Sequence, residues 1–209
     1  MVIEEMLITT GEIQETAEKL LNKAYEINRL AGEANGLNMA IARHYTYWLG
    51  GVGVLMGDVA VMMRDTAVKM GQKGEALKEV FWEFKKMETS VTESNRVIDN
   101  FLIDHLDCFL INIEKQRGSV TNDIHDIDLI CFTLQQIEGE LKRLTDGIQT
   151  SWKDWIEEAV EKFIEKGKKE MDGLPELLVA TEGLKEKTNF VGQGIKNEIL
   201  KILSLYDDY

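Results

Sequence analysis

The sequence predicts an all-α protein of long, kinked, antiparallel helices. Three observations carry this. There is one proline, Pro175, in 209 residues. Leu, Glu and Lys, which sit in helices at little cost, recur throughout. Apolar residues make up 44% of the chain, and they fall at three- and four-residue steps, the period of a helix with one buried face. The length suits one sizeable domain or two small ones. We read a single all-helical domain over 1–209, with helices at approximately 11–70, 75–144, 151–171 and 176–205.

The first stripe is Ile13, Ala17, Leu20, Leu21, Ala24, Ile27 and Leu30. Gly32 and Gly36 loosen it before it resumes through Tyr45 and runs to Met70 as one bent helix or two. Gly71 and Gly74 of "MGQKGEAL" predict a turn, with Glu75 opening the next helix. That helix carries Leu77, Val80, Phe81, Phe84 and Met87, then Ile98, Phe101, Leu102, Leu106, Phe109, Leu110 and Ile113. "RGSVTND" at 117–123 predicts a kink, beyond which Ile124, Ile127, Cys131, Leu134, Ile137, Leu141 and Leu144 continue the stripe. Unbroken, it would be about 70 residues and roughly 105 Å long. So long an apolar face needs partner helices of similar length, from the same chain or from a second copy. "TDG" at 145–147 is the next turn signal. A helix with Trp152, Trp155, Ile156, Val160, Phe163 and Ile164 on one side follows. Asp172-Gly173 ends it, and Pro175 suits the first turn of the last helix.

Charge narrows the function. Lys and Arg total 24 against 37 Asp and Glu, a formal net charge of −13. Nucleic-acid binding draws most of its affinity from phosphate neutralisation, so no nucleic-acid partner is expected. The acidic N-terminus, "MVIEEMLITT", has too short an apolar run for a signal peptide. Cys108 and Cys131 both lie in apolar patterns and read as buried thiols in a reducing compartment, with a disulfide left open. "YWLGGVGVLMGDVAVMM", 47–63, falls short of the ~20 residues that span a bilayer and contains Asp58. It reads as a buried helix whose glycines allow close helix approach. A membrane-inserting hairpin is the alternative.

Motifs for chemistry are sparse. "DHLD" and "NDIHDID" place His105 and His125 among aspartates, but Ile124 and Ile127 hold the inward positions, so His125 and Asp128 should face outward. No Glu-x-x-His, nucleophile elbow, phosphate loop or dinucleotide fingerprint occurs. A non-enzymatic protein without cofactor or metal is expected. Surface work is better supported. Lys162, Lys166, Lys168 and Lys169 form the densest basic stretch, and Trp152 and Trp155 follow a turn, as suits a membrane interface. Core tryptophans and a solvated lysine face are the alternative.

The order of these features resembles the BAR-domain superfamily, including its inverse-curvature branch. Gly74, Ala76 and Leu77, followed by Ile98, Phe101, Leu102, Asp104 and Leu106, carry the resemblance, which covers about residues 12–205. It implies a three- to four-helix protomer in an elongated homodimeric bundle, with the face from Ile98 to Ile113 packed against a second copy. It implies a cytoplasmic scaffold, peripheral at membranes, that senses or shapes curvature through anionic lipid, with a small GTPase or other protein as a further partner. By position, lipid contact would fall to Lys142, Arg143, Lys153, Lys162, Lys166, Lys168 and Lys169, with Trp152 and Trp155. The chain departs from the family where acidic side chains outnumber basic ones over 101–170, and where Gly173 and Pro175 interrupt the returning arm. Two other readings stand beside this one. One is a pore-forming or secreted helical bundle that releases the 47–63 hairpin. The other is a lipid-independent coat or interaction protein.

Overall fold

The structure, a computed structural model, describes residues 2–93, 106–108, 110–111, 120–145 and 153–207. Every element among them is a helix, so the chain is all-α. The helices are α1 (Val2–His44), α2 (Thr46–Glu93), α3 (Val120–Thr145), α4 (Lys153–Met171) and α5 (Leu174–Asp207). Residues 106–108 and 110–111 are also helical. Two compact units result. Unit 1 holds Met1–Lys19, Lys73–Ser119 and Leu178–Tyr209, and unit 2 holds Leu20–Gln72 and Val120–Leu177. Helices α1, α2 and α5 each contribute to both.

Unit 2 is a bundle of four helical segments. Leu20, Ile27 and Leu30 of α1, Met56, Met63 and Met70 of α2, Leu134 and Ile137 of α3, and Val160 and Phe163 of α4 are all buried in it. Its α1 and α2 segments run antiparallel and close together. A Cβ on Gly53 would lie 2.9 Å from Ile41 Cγ2, and one on Gly57 3.0 Å from Asn38 Nδ2. Gly53 and Gly57 of the 47–63 segment therefore do allow close approach, whereas a Cβ on Gly50 or Gly51 would meet nothing within 4 Å. Lys23 pairs with Glu170 at 2.9 Å and Lys166 with Glu33 at 3.0 Å, which sets α4 antiparallel to α1. In unit 1, Met6, Ile13, Leu77, Phe84, Val191 and Ile195 are buried. Lys187 pairs there with Glu12 at 2.6 Å and Lys196 with Asp107 at 2.5 Å.

Two expected boundaries are corrected. The helix expected over 11–70 starts earlier and breaks at Tyr45, with a non-helical backbone again at Leu49 (φ −121°, ψ 19°). His44, Tyr45, Thr46, Tyr47 and Trp48 are aromatic, imidazole or β-branched, all of modest helix propensity. The turn expected at Gly71 and Gly74 is absent, and α2 runs through it. Each glycine costs a helix only about 1 kcal/mol relative to alanine. Met70 and Leu77, buried on either side, offset that by packing. Helix α3 covers Val120–Thr145, and the first residues of the expected kink and most of "TDG" lie outside the described residues. Gly173 closes α4 as predicted: its φ of +70° is left-handed, and Pro175 sits in the first turn of α5.

Candidate functional site

The basic stretch that the sequence singles out lies in unit 2, where α3 and α4 pack together. Most of its described cations are matched by carboxylates. Lys162 pairs with Glu158 at 2.5 Å, Lys166 with Glu33 at 3.0 Å and Arg143 with Glu140 at 2.8 Å. Lys168 and Lys142 converge on Glu138, at 2.6 and 2.9 Å. Lys169 is exposed. Trp155 is 58% exposed, so it is not a core residue. Trp152 and the side chain of Lys153 lie outside the described residues. An anionic headgroup here must compete with carboxylates already in place. Each surface pair is worth only ~0–1 kcal/mol, so the competition is feasible, but no field of uncompensated positive charge attracts the headgroup.

Glu138 gives this cluster a pH signature. The hydrogen bond from Lys168, then that from Lys142, holds its carboxyl at about 2. The same group titrates at about 4.3 in an unfolded chain. Between those values the unfolded state binds more protons, so the contribution is complete above the unfolded value and is lost as pH falls toward about 2. Glu138→Gln is expected to flatten this part of the acid limb. Urea midpoints measured across it check this; a slope unchanged by the substitution would mean the two lysines do not grip Glu138.

The residues expected at a dimer interface divide. Leu106 and Leu110 are buried within one copy. A Cβ on Gly192 of α5 would lie 2.7 Å from Leu110 Cδ2, so α5 of the same chain covers this position. Burying these two leucines does not require a second copy. Ile98, Phe101, Leu102, Phe109 and Ile113 lie outside the described residues.

A second surface was not anticipated. Tyr47, Val54, Val61 and Val68 of α2 are exposed by 87, 65, 59 and 53%. The three valines are seven residues apart, nearly two turns, and so form a row along the helix, while Tyr47 lies before the non-helical Leu49. The 47–63 segment is buried on its other side, through Val52, Met56, Val59 and Met63. Asp58 and Asp65 lie beside the valine row, exposed and without a close ion pair among the described residues, although Asp65 is near enough to Lys69 to help raise its ammonium. Along the same edge a groove of about 360 Å³ opens between α2 and α3, lined by Met62, Asp65, Thr66, Val68, Lys69, Asp126 and Leu129. Lys69 donates to Asp126 and lies 3.9 Å from Asp123; the hydrogen bond to Asp126 raises its ammonium above the ordinary range. Phe132, one turn beyond Leu129, is also exposed. Such a surface suits helix docking: an apolar ridge, a groove beside it and an acidic margin. Its sequence signal was the seven-residue step of Val54, Val61 and Val68, hidden inside a longer apolar run.

No group of three or more His, Cys, Asp or Glu among the described residues is placed to hold a metal. His125 and Asp128 are exposed, as their spacing predicts. Among these residues no helix is long and apolar enough to cross a membrane. Both cysteines are free, and Cys108 is exposed, contrary to the buried thiol its pattern suggested. Cys131 is half-buried, and burial pushes its thiol up. In the native protein Cys108 is therefore expected to react with a disulfide reagent well before Cys131. Loss of the fast phase in Cys108→Ser checks this, and its persistence would contradict it. Comparison of the chain with protein-family models, with curated proteins and with solved structures gave no match.

Proposed function

We propose that this protein is a non-enzymatic helical interaction module that binds a partner helix on the exposed face of α2. One observation carries the reading: three valines in a seven-residue row stand in solvent on a helix whose opposite side is packed. Isolated exposed apolar residues need no explanation, but a contiguous row beside a groove is the usual mark of a binding surface. The net charge of −13 supports a protein partner over anionic lipid.

A scaffold at a membrane surface, dimeric and curvature-sensing, is the second reading. The exposed Trp155, nearly two turns from Lys162 on α4, favours it. Sedimentation with phosphatidylcholine–phosphatidylserine vesicles separates the two. Under the interaction reading the protein stays in the supernatant. Pelleting that disappears when Lys162, Lys166, Lys168 and Lys169 are all changed to Glu would reverse the order of the readings.

A further inference from the structure

Resting on that reading, we propose that the partner is a cationic amphipathic helix, with an apolar row that packs on Val54, Val61 and Val68 and a large apolar side chain that fills the groove beside Met62 and Leu129.

The charge of the margin selects this occupant. Asp58 and Asp65 are both exposed beside the valines, without a close ion pair among the described residues. Lys69, on the groove side, attracts Asp65 but donates its hydrogen bond to Asp126, so Asp58 is the less matched of the two. Arg64 is exposed, and helical spacing puts it on the flank opposite the two aspartates. A partner that leaves Asp58 and Asp65 desolvated and unmatched loses binding energy, whereas lysine or arginine heads that reach them match charge while their stems cover the valines. The two aspartates are seven residues apart, about 10.5 Å along the axis. The partner's cations should recur at the same spacing. A second copy is disfavoured because it brings another chain of net charge −13 to an acidic margin. An anionic bilayer is disfavoured for the same reason.

The test uses the full chain and two labelled peptides of about three heptads. Both carry the same leucine row; one is flanked by lysine, the other by glutamate. Fluorescence anisotropy is expected to show the lysine peptide binding at least about tenfold more tightly than the glutamate peptide. Val61→Asp should weaken the lysine peptide by about tenfold, although it makes the protein more acidic. Asp58→Lys with Asp65→Lys should reverse the preference. Equal binding of the two peptides would overturn the cationic partner and leave helix docking standing. Binding of neither would overturn both. Unchanged or tighter binding to Val61→Asp would reduce the effect to bulk charge attraction and overturn the proposal. A self-association in sedimentation velocity that Val61→Asp abolishes would make a second copy the occupant, and binding to phosphatidylcholine vesicles lost in the same variant would make it a bilayer. Either would overturn the proposal.

Discussion

Phe163→Ala is expected to destabilise unit 2 by about 3–5 kcal/mol. Phe163 is 1% exposed and lies on the inward side of α4 with Ile156, Val160 and Ile164. Truncation removes most of an aromatic ring from water-free packing. The close-packed neighbours cannot fill the space, so lost transfer energy and a residual cavity add together. Phe132→Ala is the control. Phe132 is 55% exposed on α3, and its loss should move stability by no more than about 0.5 kcal/mol. Urea denaturation followed by helical circular dichroism reads both. Similar small shifts from the two would mean that α4 does not present Phe163 to the core.

The second large effect is at Gly53. A Cβ there would sit 2.9 Å from Ile41 Cγ2 and 3.5 Å from Ile41 Cβ. Ile41 is buried on α1, and its branched side chain has one favoured rotamer in a helix, so it cannot swing aside. Gly53→Val is expected to cost about 1–3 kcal/mol by overpacking. Two residues away, Gly51 is exposed and a Cβ would meet nothing within 4 Å. Gly51→Ala should therefore stabilise the protein, by up to about 1 kcal/mol of helix propensity. Opposite signs at these two glycines, read as urea midpoints, would fix the close approach of α1 and α2. Stabilisation at both would mean the two segments lie farther apart.

The helical class was legible because one proline and an unbroken three/four period leave little else for the chain to form. The inward side of α3 was legible too: Ile127, Leu134, Ile137 and Leu141 are all buried. Breaks were harder to read. Gly71 and Gly74 look like a turn, yet tertiary packing of Met70 and Leu77 carries α2 through them. The true reversal, near Tyr45 and Leu49, carries weaker propensity signals than two glycines do. The candidate site was least legible. The lysines of α4 stood out by density, but carboxylates of α1 and α3, up to 133 positions away in the chain, pair with two of them. Long-range pairing of that kind is invisible in a linear charge count. The row on α2 was concealed for the opposite reason: Val54, Val61 and Val68 sit among residues just as apolar, and only packing tells which side is left in water.

Helix docking on α2 is tested most directly by hydrogen exchange of the full chain with and without the lysine-flanked heptad peptide. The account predicts added protection over 54–72 of α2 and around 126–132 of α3, with 155–169 of α4 unchanged. Protection confined to α4, or none on α2 under conditions where the peptide is bound, would contradict it.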